Sequence, residues 1–453
     1  MDRAVYENAC LSRRRSSSGV YRRAVLCLFV SAFVLSGATF RASVVKVDIT
    51  PSSPQWLMGY APRRSNGVND HIYHRIVAMD DGRVQFFLIS SDLCLFSPSV
   101  YDDVGTRLRK ESGIEPQNLW WSVTHSHATP EVGPPGIYKV LLGRSDHEWN
   151  RDYAATVTRS LIDGVKEAKA KLQPAQIAIG TGMAMANINR RAKDENGKVT
   201  LGLNPDGPAD RQIGIIRIER PEGTPIAFIA NYAMHGTVLS GANLEIGGDA
   251  PGEVSAYVER KLGAPLLYEN GAAGNIAPIY SGYPDPKTGH LSQFDVLLGD
   301  HILAAVAELG PASQAVSLWT GEKTIETPRK SGLDWPDELK AYSRNAQNGV
   351  ALIELPVRFL RINDTIIWSA PVEAFCEIAF SVRNASPFAH TFFFGYTGGW
   401  FGYLPTSRAF EEGGYEPNTS PFTRAAETDV TEGVVNYIQS VPRQERNSRS
   451  GLR

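Results

Sequence analysis

The sequence predicts an α/β protein, and two observations carry that reading. Strand-like and helix-like segments alternate along the whole chain, the pattern of sheets covered by helices. Hydrophobic residues make up 42% and charged residues 21% of the 453 positions, a globular balance that excludes a disordered or collagen-like chain. The length suits one large domain or two ordinary ones, and no internal repeat or low-complexity linker divides it.

In chain order, residues 44–49 (VVKVDI) alternate and stop at Thr50-Pro51, a strand with its terminator. Residues 59–67, rich in Pro, Arg and Asn, read as a loop. Residues 76–79 and 84–90 flank Asp80-Asp81-Gly82, a hairpin signal. A helix is expected over 100–111, then a strand at 119–123 that runs into Thr124-His125-Ser126-His127. A long amphipathic helix follows at 151–172, with strands at 176–179, 213–218 and 226–232. A helix over 250–262 opens after Gly247-Gly248-Asp249, and a strand at 265–268 ends in the small-residue loop 271–278. A helix at 294–309 precedes strands at 316–320, 357–362 and 365–369. Residues 373–382 read as a helix, 391–396 as a strand and 429–439 as a last helix. The polar stretch 321–350 is the weakest place for a domain boundary.

The N-terminus reads as an address. Six arginines precede residue 24, and residues 24–40 (AVLCLFVSAFVLSGATF) carry no charge. A basic region, an apolar region and small residues at Ser36 and Ala38 fit a signal peptide over 1–38, cut after Ala38, with an uncleaved signal-anchor as the competing reading. The protein is therefore expected to be secreted, periplasmic or otherwise extracytoplasmic. The charged tail 443–453 is expected to be disordered. A formal net charge of −2, without a Lys/Arg-rich block in the body of the chain, argues against a nucleic-acid partner. Cys94 and Cys376, the two cysteines beyond the signal, make no disulfide framework or zinc ribbon. They read as two buried thiols, with one bridge as the alternative in an oxidising compartment.

Reacting groups gather where strands end in open α/β sheets, and four such places stand out. His125 and His127 follow a strand directly. In extended chain, residues i and i+2 share a face, so both imidazoles can approach one centre, and imidazole is a common zinc ligand. The spacing alone does not separate a metal site from a structural pair. His235 ends the strand at 226–232; a lone histidine is usually structural, and Asp249 after it reads as a helix N-cap. Glu373 follows the strand at 365–369, either complementing a helix dipole or aimed at a metal. Tyr403, in the Gly- and aromatic-rich run 398–406, is either a packed ring or a phenol at a site.

Together these segments resemble the catalytic, N-terminal domain of the neutral/alkaline (non-lysosomal) ceramidases. The resemblance is carried, in the family's order, by LMGYAPRRSNGVNDHIYHR at 57–75, ISSD at 89–92, WSVTHSHATPEVGPPG at 121–136 and NINR at 187–190. It continues through NYAMHGTVLSGANLEIGGD at 231–249, NGAAGNIAP at 270–278, PVEAF at 371–375 and GYLPTSRAFEEGGYE at 402–416. It implies a single catalytic domain over 39–442, built of mixed β-sheets flanked by helices. It implies one Zn2+ held by His125, His235, Glu373 and Tyr403, with His127 beside the ion and Asp249 matching an Asp 14 residues after the second zinc histidine. The implied reaction is hydrolysis of an N-acyl amide, with zinc polarising the carbonyl and activating water and His127 or Asp249 moving the proton. The implied partners are a small-molecule or lipid amide and, with it, a membrane surface.

Two departures weigh on that transfer. The family's loop reads Gly-Asp-Val-Ser-Pro, with its serine proposed as nucleophile; here it is Gly274-Asn275-Ile276-Ala277-Pro278, and a methyl group cannot attack. The family's C-terminal β-sandwich is expected to be absent, the match ending near residue 440. The competing functions are a zinc esterase and a non-enzymatic surface protein that keeps the fold, the latter favoured by Ala277.

Overall fold

Runs such as Gln85–Ser91 and Leu119–Val123 are too continuously apolar for a sheet with one wet face. The computed structural model shows both as strands buried along nearly their whole length. It describes residues 40–143, 147–280 and 291–443; the signal expected at 1–38 and nearly all of the tail expected to be disordered at 443–453 lie outside them.

Three mixed sheets form the body. The first runs in the order Leu119–Val123, Gln85–Ser91, Tyr73–Asp80, Arg41–Asp48, Gln173–Pro174. The second runs Leu266–Asn270, Pro225–Tyr232, Gln212–Glu219, Gln176–Met183. The third runs Leu318–Pro328, Ala351–Ile362, Thr365–Ser369, His390–Phe394, with Ser343–Asn345 also on Ala351–Ile362. Each sheet contains one parallel pair: Gln85–Ser91 with Leu119–Val123, Pro225–Tyr232 with Leu266–Asn270, and Thr365–Ser369 with His390–Phe394. A parallel pair needs a crossover, and here each crossover carries one helix: Pro98–Ser112, Asp249–Leu262 and Cys376–Ala385. Among the described residues each of these three sheets thus holds one strand–helix–strand unit.

The sheets meet face to face. One apolar cluster takes Val77, Phe86 and Trp120 from the first sheet, Ile216, Ile229 and Leu267 from the second, and Leu360, Ile367 and Phe392 from the third. Helices cover the outer faces: Arg151–Ala170 lies on the first sheet and Asp249–Leu262 on the second, while Ala426–Ser440 packs on Leu318–Pro328 of the third. Among the described residues no helix is long and apolar enough to cross a membrane.

Several expectations change. The stretch at 321–350 is no boundary, because Leu318–Pro328 pairs residue for residue with Ala351–Ile362. The helix expected from Glu373 starts at Cys376, since Glu373 and Ala374 form a two-residue parallel ladder with Tyr403 and Leu404. The helix expected at 294–309 opens with a π turn, Asp295–Gly299, before Asp300–Ala307. Asn187–Lys193 and Val199–Asn204 form a hairpin that joins Ile276–Pro278, and the sequence had not announced it. Cys94 and Cys376 are buried free thiols, not a bridge.

Glu269 is an acid inside this core. Its Oε2 accepts a 2.6 Å hydrogen bond from Ser122 Oγ, and its Oε1 has no partner. Burial pushes its pKa up to about 8 from 4.5, against the pull of the Ser122 bond. Between those values the unfolded chain is ionised while the folded protein keeps the proton. Stability therefore falls as pH rises through that window, at roughly 1.4 kcal/mol per unit. Glu269→Gln should flatten this fall, measured as urea midpoints of both proteins at pH 5 and pH 8; equal pH dependence in the two contradicts it.

Candidate metal centre

The C-terminal ends of the parallel strands converge. After Leu119–Val123 the chain delivers His125 and His127, and after Pro225–Tyr232 it delivers His235. After Thr365–Ser369 it delivers Glu373, and after His390–Phe394 it delivers Tyr396, Trp400 and Tyr403. His125 has φ 63 rather than the extended geometry expected for it, so the His-x-His pair does not converge by strand alternation. The turn is held by backbone bonds from His125 N to Leu93 O and from His127 N to Gly236 O, each 2.9 Å. Gly236 must be glycine there, because a Cβ would lie 2.8 Å from His125 O and from Ser126 Cα. Gly59, at φ +103, likewise lies flat against the His127 ring, which a Cβ would meet at 2.5 Å.

His125, His235 and Glu373 bring one ligand atom each into a group that could hold a metal ion. Glu373 Oε2 lies 3.0 Å from His235 Nε2 and 3.4 Å from His125 Nε2. All three residues are buried. The other nitrogens are committed: His125 Nδ1 is 2.8 Å from Cys94 O, and His235 Nδ1 is 2.9 Å from Ile276 O. A carbonyl only accepts, so each Nδ1 carries its proton and Nε2 is the ring atom left to face Glu373; against burial, the Glu373 carboxylate raises the His125 pKa to about 10, whereas burial and then Arg190 lower that of His235 to about 4. Two imidazole Nε2 atoms and a carboxylate oxygen thus face one another in a dry interior, an arrangement that a positive charge between them, a proton or a metal ion, satisfies. Carbonyl-tethered histidines with a carboxylate form a donor set suited to a divalent metal. The ring tethers are what make the residues fit such an ion.

A second group, Cys94 with His125 and His127, also has ligand atoms in reach of one another. Cys94 Sγ, however, is 3.8 Å from His125 Nδ1, the edge of the ring already bonded to a carbonyl. The thiol therefore stands behind His125, away from Glu373.

Around the centre, Trp400 Nε1 donates to Glu373 Oε1 at 2.9 Å, and Tyr396 stacks on His125 with centroids 4.3 Å apart. Arg190 Nη1 lies 2.9 Å from His235 Nε2. The sequence does not announce these contacts: Trp400 lies in the run 398–406 read only as Gly- and aromatic-rich, Tyr396 ends the segment 391–396 read only as a strand, and Arg190 closes the quoted NINR segment without a role. Tyr403 is buried beside Glu373 in the ladder, with Arg190 over its ring at 5.4 Å. Burial and the carboxylate raise the Tyr403 phenol well above its usual range, and Arg190 opposes them.

His127 Nε2 sits 3.2 Å from His125 Nε2, and its Nδ1 has no hydrogen-bond partner. Burial, then the neighbouring His125 and His235, push its pKa well down and keep it neutral. Asp249 is fully buried, and its carboxylate accepts backbone N–H groups of Val238, Leu239 and Ala250 at 2.7–3.0 Å. Two of those donors belong to the loop after His235 rather than to the helix, so Asp249 ties that loop down; the residue before the helix is Gly248.

A cavity of about 970 Å³ lies beside the centre, reached through its neighbours His127, Arg190 and Tyr403. His127, Arg190, Tyr403 and Thr237 give it polar wall, Leu142, Leu201, Leu203 and Ile279 apolar wall, and Ala277 lines it too.

A family model described as neutral/alkaline non-lysosomal ceramidase, N-terminal, matches residues 40–277. Neutral ceramidase B of Dictyostelium discoideum is 28% identical over 256 residues, which is 54% of this chain and 34% of that protein. Neutral ceramidase A of the same organism is 27% identical over 271 residues, 54% of this chain and 37% of that protein. The match spans about a third of the length of these curated relatives. Among solved structures, a ceramidase complexed with C2 superposes with a TM-score of 0.72 at 16% identity, covering 90% of this chain and 76% of that one. The neutral ceramidase from Pseudomonas aeruginosa gives 0.71 at 17% identity over the same shares. At those identities the likeness concerns the fold.

Elemental analysis of purified variants tests the centre. His235→Ala and Glu373→Ala should each lower metal affinity by at least ~10-fold, the scale of losing even a supporting contact. Tyr403→Phe should keep part of the metal. Full occupancy in both of the first two variants contradicts the assignment.

Proposed function

Because the chain belongs to the neutral/alkaline non-lysosomal ceramidase family, we propose that it is a zinc-dependent hydrolase cleaving the amide bond of an N-acylated lipid. The observation that supports this most is the His125–His235–Glu373 cluster beside a cavity of about 970 Å³ with apolar walls. Such a cavity has the size and lining of a site for one elongated apolar ligand with a polar group at its base.

Two imidazoles and a carboxylate suit zinc among the common metals, with Tyr403 as the further ligand. A bound zinc ion would polarise the scissile carbonyl and lower the pKa of a water molecule toward ~7. The chain's own residues supply the rest. His127, neutral and in the cavity wall, takes a proton from the attacking water and returns it to the leaving amine. Arg190 Nη2, buried without a hydrogen-bond partner, faces the developing negative charge on the substrate oxygen. Asp249, whose oxygens already hold three N–H groups, serves to position the loop beside His235 rather than to move protons. Ala277 lines the cavity but has no atom to attack with, so the reaction proceeds without a nucleophile at that position.

Turnover of a panel of N-acyl amides and the matching esters decides this reading. A chelator should abolish activity, zinc should restore it, and serine-directed acylating reagents should leave it intact. His127→Ala should lower kcat by ~10²–10⁴-fold, the usual worth of a positioned acid–base group. Chelator-resistant turnover or a covalent acyl-enzyme on any serine contradicts the mechanism. Preference for the esters would make the protein an esterase using the same residues, and a metal-loaded protein inert toward the whole panel would leave the non-enzymatic reading.

We also propose that residues 1–38 direct export, from their charge and apolar pattern. N-terminal sequencing of the exported protein should begin near Thr39; a soluble cytoplasmic protein retaining Met1 contradicts it.

A further inference from the structure

Arg190 and Arg191 are neighbours on the strand Asn187–Lys193, where consecutive side chains ordinarily point to opposite faces. Here both guanidinium groups reach one carboxylate. Glu416 Oε1 accepts from Arg190 Nε at 2.9 Å, and Oε2 accepts from Arg191 Nη1 at 2.7 Å. The strand's register shifts between Asn189 and Arg191, and such irregularities re-aim side chains next to sites. Glu416 comes from the short helix Tyr415–Asn418, and its side chain is 1% exposed.

The two arginines have different uses. Arg191 Nη2 donates to Gly413 O at 2.8 Å, so its guanidinium is taken up in structure. Arg190 turns the other way. Its Nη1 meets His235 Nε2, its guanidinium lies over the Tyr403 ring and feels that phenol, its Nη2 is buried without a close hydrogen-bond partner, and the residue lines the cavity. Two buried cations beside a metal-binding cluster need a counter-charge on the far side. Without one, the carboxylate left to attract Arg190 is Glu373, whose charge already acts on it. Arg190 drawn onto Glu373 would cover the oxygen that faces His125 and His235.

We propose that Glu416 is a positioning residue: it anchors Arg190 from behind, keeping the guanidinium in the cavity wall and off Glu373, with Nη2 left unspent for the oxygen of the substrate's carbonyl or carboxylate. This rests on the hydrolase reading above. Glu416 acts through Arg190 and touches no substrate itself.

A double-mutant cycle tests it, on zinc-loaded wild-type protein, Arg190→Met, Glu416→Gln and the double variant. Two quantities are read: kcat and KM for an N-dodecanoyl amide, and calorimetric binding of dodecanoate. Each single variant should lose about tenfold or more in kcat and in dodecanoate affinity, the scale of one charged hydrogen bond. The double variant should fall no lower than Arg190→Met alone. Glu416→Asp, which keeps the charge, should recover part of the loss, and it serves for the cycle if Glu416→Gln does not fold. Losses that multiply in the double variant, or an unchanged kcat and affinity in Glu416→Gln, overturn the proposal. If wild-type protein turns over no amide or ester, the hydrolase reading fails, and the dodecanoate cycle still decides the role of Glu416.

Discussion

The site rests on two hydrogen bonds that never touch a ligand. Cys94 O and Ile276 O hold the Nδ1 protons of His125 and His235, and this turns both Nε2 atoms toward Glu373. Of the three atoms that meet there, His235 Nε2 accepts from Arg190 Nη1 at 2.9 Å and Glu373 Oε2 accepts from Tyr396 Oη at 3.4 Å, so protein donors hold the cluster while its three candidate metal-binding atoms stay within reach of one another. That constraint makes the centre readable as a cation site rather than as a histidine cluster in a core. It also accounts for the company the centre keeps: Trp400 fixes the second oxygen of Glu373, and Tyr396 covers the His125 ring.

The fold supplies this geometry by repetition. Three strand–helix–strand units, one in each sheet, end their parallel strands on the same side of a shared apolar core. Each unit contributes a residue at the position where open α/β sheets place their chemistry. Because the strands are locked by packing on both faces, the loops they release are anchored at both ends. The two-residue ladder between Glu373 and Tyr403 then ties the last two contributions to each other.

Much of this was legible in the sequence where physics is local. Leu119–Val123 and Thr365–Ser369 were found at their observed bounds, because short apolar runs closed by polar or helix-breaking residues read as buried strands. The histidines and Glu373 stood out because they follow such runs. What was missed is set by distance along the chain. Asn187–Lys193 carries Asn, Arg and Lys and looks like a loop until its bulge and its partner strands are seen. Glu373 was placed in a helix, since only Tyr403, 30 positions on, pulls it into a ladder. Arg190 meets Glu416 across 226 positions, and no local pattern marks that pair.

X-ray absorption at the zinc edge of the zinc-loaded protein tests the central claim most directly. The account predicts a first shell of nitrogen and oxygen at ~2.0–2.2 Å with the multiple scattering of two imidazoles. A sulfur shell at ~2.3 Å would place the ion on Cys94, behind His125, and would contradict it.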